Sequence, residues 1–232
     1  LSATMLIRLN GTDVYTVATV STVTVTVVGL LSTNYVAVAA DVQRVASWTD
    51  LSPNGYHATG TGATSPSIIP SFNNSKPIIR FDNTRFLTLP SGFYSNFSTG
   101  ANTAFVISQS ATQDTAIQAL FALNGSGLVK NALFYNTTGT GSMDYRSANS
   151  AATAASLASI TQTNMSCWVG RRSGTTQAVS QNNGTETTNA SGANCTADAG
   201  RIGKTPTDTF PFTGQIAEMI FYNKSLSATE IT

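Results

Sequence analysis

The sequence predicts an all-β protein, a two-sheet antiparallel jelly-roll sandwich with additional strands at its N-terminus. Three observations carry that prediction. Short runs of β-branched, aromatic and aliphatic residues recur along the chain, each closed by Gly, Pro, Asn or Ser. Helical periodicity is scarce. The length, 232 residues, suits one sandwich and is ample to bury a core.

In chain order, residues 2–9 ("SATMLIRL"), 13–31 ("DVYTVATVSTVTVTVVGLL") and 34–42 ("NYVAVAADV") read as extended, with turn chemistry at "NGTD" between the first two. Val17, Val23, Val25 and Val27 share one face of the second run, and Thr22, Thr24 and Thr26 the other. No charge interrupts the chain between Asp13 and Asp41, so this ribbon needs hydrogen-bonding company along its edges. Either it forms a hairpin on its own sandwich, or it pairs with a neighbouring copy by strand addition, which builds a filament when the contact does not close. A Gly-, Pro- and Ser-rich loop follows, from Trp48 to Ser67. Further strands are predicted over 76–81, 103–109, 117–123, 132–136, 165–172, 176–181 and 214–223. "SQNNGTE" reads as a hairpin tip. The alanine-rich stretch 150–159 is a weak helix candidate. Ser227 and Glu230 have capping-box spacing near the end of the chain.

Charged residues make up 10% of the chain, against roughly 25% in ordinary soluble domains. The net charge is +1, which speaks against a nucleic-acid binder with a basic face. Arg171-Arg172 reads as a solvated strand end. No apolar run reaches the ~18 residues of a membrane span. The chain opens on Leu1, which reads as removal of an upstream segment or as a fragment.

Ten sequons, at Asn10, Asn73, Asn96, Asn124, Asn136, Asn164, Asn183, Asn189, Asn194 and Asn223, are about twice the number expected by chance for this composition. They point to a secreted chain carrying N-glycans. Cys167 and Cys195 are the only cysteines, an even count that fits one disulfide in an oxidising compartment.

Two segments carry a family resemblance. "RVASWTDLSPNGYHATG" (44–60), followed by "KPIIRFDNTRFLTLP" (76–90), holds Trp48, Asp50, Ser52, Asn54, Gly55 and Ala58, then Lys76, Pro77, Phe81 and Asp82. "RIGKTPTDTFPFTGQIAEMIFYNKSLSATEI" (201–231) holds Gly214, Ile216, Ala217, Glu218, Tyr222, Asn223, Leu226, Ser227, Glu230 and Ile231. Together they resemble the laminin-G-like, concanavalin-A-like jelly-roll domains of surface proteins. The resemblance covers about residues 40–231 and divides the chain into extra strands, 1–39, and a jelly-roll domain, 40–232. It implies a sandwich without implying one function.

Catalysis is not expected. Glycoside hydrolysis needs two carboxylates close together, and Glu186, Glu218 and Glu230 are far apart in the sequence. His57, the only histidine, has no nucleophile signature beside it and reads as a turn residue. No cofactor is expected. Calcium would fall to Asp50, Asp82 and Asp208, which sit in or beside loops. A sugar would fall to Phe93, Tyr94 and Phe97 in the loop-like stretch "SGFYSNFS". The leading expectation is a non-catalytic, secreted structural subunit of a surface assembly (filament, sheath or adhesin), with copies of itself or related subunits as partners. The alternatives are a carbohydrate-binding module, with glycans as partners, and a virion surface or fibre protein.

Overall fold

The computed structural model describes residues 43–73, 76–113, 116–136, 141–147 and 154–231, all but Gln43 in the unit Arg44–Thr232. The predicted N-terminal strands, the boundary at residue 39, Asn10, and the valines Val17, Val23, Val25 and Val27 lie outside the described residues.

In chain order the strands are β1 Ser47–Trp48, β2 Ala58–Thr59, β3 Ser67–Asn73, β4 Lys76–Asp82, β5 Leu87–Thr88, β6 Asn102–Ser110, β7 Gln118–Gly125 and β8 Leu128–Asn136. They continue as β9 Ser142–Ser147, β10 Ala155–Ala158, β11 Ser166–Ser173, β12 Thr176–Gln181, β13 Thr187–Asn189, β14 Ala199–Ile202 and β15 Thr213–Tyr222. Helix α1 spans Ser91–Ser98 and α2 spans Ala228–Ile231. An eight-stranded sheet has the order β1-β2-β5-β14-β7-β8-β9-β10, and a seven-stranded sheet the order β13-β12-β11-β6-β15-β4-β3. Every paired strand is antiparallel, and the jelly-roll sandwich expected from the sequence is what the two sheets form.

The core follows from strand alternation. Leu133 and Tyr135 of β8 face Tyr145 and Met143 of β9, and all four are fully buried. From the other sheet Trp168, Val106 and Ile216, and from the loop just before β15 Phe212, join the same cluster. Trp168 Nε1 donates to Tyr135 Oη at 3.0 Å, and Ser108 Oγ lies 3.0 Å from that oxygen, so the buried indole and phenol satisfy one another. Gly170 lets the sheets approach: a Cβ there would lie 2.2 Å from the Tyr145 ring.

Two elements differ from expectation. "SGFYSNFS" is a helix, because Phe93 and Phe97, four residues apart, place both rings on one face. Their rings stack at 5.4 Å and meet Phe121 and Phe221 edge-on. The alanine-rich stretch contains strand β10, since pairing with β9 outweighs a weak helix propensity diluted by serine and threonine. The Arg171-Arg172 doublet is not a solvated end either. Alternation turns Arg172 into the sandwich, where it is 1% exposed. Arg171 faces the other way and is held by a two-pronged ion pair with Glu186.

The hairpin tip at Asn182 and Asn183 is present, both residues with positive φ, between β12 and β13. The capping box also forms: Ser227 N donates to Glu230 Oε2 at 2.8 Å and Glu230 N to Ser227 Oγ at 3.3 Å. Lys224, then the Ser227 amide and hydroxyl, pull the Glu230 carboxyl down to about 2. A depressed pKa means that this contribution is present above the ordinary value of 4.5 and is lost as pH falls through about 2. An NMR titration of the Glu230 side chain is expected to show that low midpoint, and Lys224→Ala to raise it.

Candidate functional site

The register that builds the core also builds a second surface. Residues that alternate with the core residues face outward from the eight-stranded sheet. On β8 these are Ala132, Phe134 and Asn136; directly opposite on β9 lie Arg146, Asp144 and Ser142. Ser156 of β10 is opposite Asp144, while on β7 Ala122 is opposite Ala132 and Ala119 opposite Phe134. The three alanines keep the floor low, so that the larger side chains stand as walls.

The opposite wall is the loop after β14. Gly203, at φ +84°, starts it: its Cβ would meet the Phe81 ring at 2.3 Å, and no side chain fits. Thr205 is fully buried and organises the loop, its Oγ1 donating to Thr209 O at 2.6 Å and accepting from Thr209 N at 3.0 Å. The loop thereby sets Phe210 edge-on to Phe134, with ring centroids 5.9 Å apart. Phe210 has φ 51°, a left-handed conformation costly for a bulky residue, so the ring is held there against backbone preference.

Phe134, Phe210, Thr207, Thr209, Asn136, Asp144 and Arg146 line the resulting groove together with Ile117, Leu128 and Val129. Its volume is about 340 Å³, within the range of small-ligand sites.

Arg146 and Asp144 are two residues apart on one strand face, and their environments differ sharply. Asp144 is 93% buried from solvent by area (7% exposed) and accepts hydrogen bonds from the Ser142 hydroxyl at 3.0 Å, the Ser156 hydroxyl at 2.6 Å and the Asn136 amide. Arg146 places its guanidinium carbon 5.5 Å from the Phe134 ring centroid, a cation–π distance. Its Nε is buried and has no hydrogen-bond partner among the described residues. Burial pushes the Arg146 pKa down, and the charge of Asp144 only partly offsets it.

The sugar residues expected from the sequence lie outside this groove. Phe93 and Phe97 belong to the core and border a second, larger cleft with Trp48, Tyr56 and Asn96, and Tyr94, half-buried on the same helix, packs against that core. They were legible as aromatics but not as a helix face. The groove escaped sequence reading because Asp144 and Arg146 break the apolar pattern that marks strands, which also hid β9.

The other candidates separate as well. Asp50 accepts from Ser52 N at 2.8 Å, Ser52 Oγ at 2.8 Å and Tyr56 N at 2.7 Å. His57 Nδ1 accepts from Asp50 N at 3.0 Å, so both residues organise the turn between β1 and β2. Burial raises the Asp50 carboxyl, but the hydrogen bonds from Ser52 and Tyr56 outweigh it, leaving the pKa below the ordinary value. Asp82 binds Arg85 and Thr84, and Asp208 binds Arg201 and Lys204. The three aspartates do not meet, and among the described residues no group of three or more His, Cys, Asp or Glu could hold a metal ion. Glu186 lies in the loop before β13, Glu218 on β15 and Glu230 in α2.

The expected disulfide is not formed. Cys167 lies on β11 and turns outward in a row with Ile107 and Glu218. Cys195 is buried beside β8, its Sγ 3.4 Å from Lys130 O. Burial, and for Cys167 the Glu218 charge, raises both thiols. Of the sequons, Asn96, Asn164, Asn183, Asn194 and Asn223 are exposed, and Asn136 and Asn189 half-exposed. Asn124 is 2% exposed with its amide turned to Thr207, which corrects the expectation of a glycan there. Asn73 ends β3.

No family model and no curated protein matches the chain in sequence. Solved structures match in fold. A mutant of Trypanosoma rangeli sialidase displaying trans-sialidase activity superposes with a TM-score of 0.59 at 13% identity, over 82% of this chain and 30% of that one. The chain therefore spans about a third of that relative's length. Domain 4 of AbnA, a GH43 extracellular arabinanase from Geobacillus stearothermophilus, solved with arabinotriose, superposes with a TM-score of 0.57 at 16% identity. The match covers 82% of this chain and 97% of that domain. The shared feature is the β-sandwich.

Proposed function

We propose that Arg44–Thr232 is a non-catalytic carbohydrate-binding module of the laminin-G-like, concanavalin-A-like type, displayed on a secreted protein. The observation that carries this reading is the groove on the eight-stranded sheet. It combines aromatic rings (Phe134, Phe210) with planar polar groups (Asn136, Asp144, Arg146) on rigid strands, the mixture that recognises a sugar's apolar ring face and its hydroxyls. The match over nearly the whole of the arabinanase domain solved with arabinotriose supports it, since the likeness covers 97% of that domain and 82% of this chain. The Trp48–Ala58 turn, held by Asp50, and the capping box after β15 support the family type.

Secretion rests on the five exposed sequons; the unpaired cysteines withdraw the disulfide argument for it. The structural-subunit reading has no support among the described residues, because the strand it invoked lies outside them.

A glycan array probed with the full chain, followed by calorimetry, tests the proposal. Selective binding is expected, weakened at least about tenfold by Phe210→Ala, the loss of one stacked ring edge. Absence of binding across the array, or binding indifferent to Phe210, contradicts it.

A further inference from the structure

Resting on that reading, we infer that the groove selects a sugar bearing a carboxylate, and that the Arg146 guanidinium is its anchor. A guanidinium brings five donors in a planar fork and is costly to bury without acceptors. Arg146 lines the groove, its Nε is buried without a partner, and it forms no ion pair among the described residues. Asp144 is the one carboxylate lining the groove with it, and that group already accepts from Ser142, Ser156 and Asn136. Asp144, two residues along the same strand face, thus directs its hydrogen bonds to its own donors, and the Arg146 Nε is left without an acceptor among the described residues. The guanidinium carbon lies 5.5 Å from the Phe134 ring centroid, and the planar fork of a guanidinium favours a carboxylate met by two parallel hydrogen bonds. The other lining residues add neutral donors and acceptors at Thr207, Thr209 and Asn136, suited to hydroxyls on the same sugar.

The other candidates lack such an anchor. The larger cleft bordered by Trp48, Tyr56 and Glu218 has Asp50 and Glu218 as its only charged lining residues. Arg171 is taken by Glu186, and Arg201 by Asp208.

The test is calorimetric titration of the full chain with two acidic probes, oligogalacturonides and sialyllactose, each beside its carboxyl-reduced counterpart, and with neutral arabino-oligosaccharides. Tight binding of at least one acidic probe is expected, falling about tenfold or more when the carboxylate is reduced. Arg146→Gln is expected to reproduce that fall with the melting temperature unchanged, and Arg146→Lys to recover part of it. Which probe binds distinguishes a uronic acid from a sialic acid. Equal binding of acidic and reduced forms in the groove overturns the carboxylate inference and leaves the sugar-binding reading standing. Binding of none of the probes overturns both. Because the reduced ligands need no protein variant, the outcome stands even if Arg146→Gln folds poorly.

Discussion

Arg172→Ala is expected to destabilise the sandwich by about 3–5 kcal/mol, the largest single-residue effect among its polar side chains. Arg172 is 1% exposed and points between the sheets from β11. Its guanidinium donates to Ser147 Oγ at 2.8 Å on the opposite sheet, to Gly174 O at 3.1 Å, to Asn194 Oδ1 at 3.0 Å and to Gly100 O. All four acceptors are neutral, so nothing cancels its charge; what keeps the side chain in place is complete hydrogen bonding. Truncation removes the packed stem, leaves a cavity and strips a donor from each acceptor. Exposed Asn194 and Gly174 recover water, while the Ser147 side does not. Urea unfolding is expected to show a lower midpoint at an unchanged slope. Arg172→Lys keeps the charge but not the fork and should lose less. A fall below about 1 kcal/mol for the alanine variant would show that the sheets are not tied together there.

The second large effect separates stability from binding. Phe97→Ala is expected to cost about 3–5 kcal/mol, because Phe97 is 2% exposed and meets Phe93, Phe121 and Phe221. Sugar affinity per folded molecule should not change. Phe210→Ala should behave in reverse, costing on the order of 1 kcal/mol because the ring is only half-buried, while weakening binding. Thermal melts paired with calorimetry on the two variants check this crossing. Loss of affinity in Phe97→Ala with Phe210→Ala unaffected would return the site to the helix where the sequence first placed it.

The fold was legible wherever apolar alternation was unbroken. β4, β6, β7, β11, β12 and β15 lie within about two residues of their predicted spans, and β8 begins four residues earlier than predicted, at Leu128. The elements that escaped have physical reasons. β1, β2 and β5 are two-residue pairings embedded in turns, defined by partners far along the chain. β9 carries Asp144 and Arg146 on its outer face, and β10 is mostly small residues whose strand character comes from pairing with β9. The helix α1 hid because its only apolar signal is the Phe93–Phe97 spacing among polar neighbours. The groove could not be read at all from local sequence. It exists because Phe134, Asp144 and Ser156 fall in one cross-strand row and the 203–211 loop brings Phe210 to the same place. One signal was available: a lone Asp-x-Arg inside "SMDYRS", two charges on one side of a strand in a chain that is only 10% charged.

The most direct measurement is an NMR titration of the isotopically labelled full chain with the tightest-binding oligosaccharide from the array. Shift changes are expected to concentrate at Phe134, Asp144, Arg146, Thr209 and Phe210. Changes gathered instead around Trp48, Tyr56 and Tyr222, or no saturable change at all, would contradict the placement of the site on the outer face of the eight-stranded sheet.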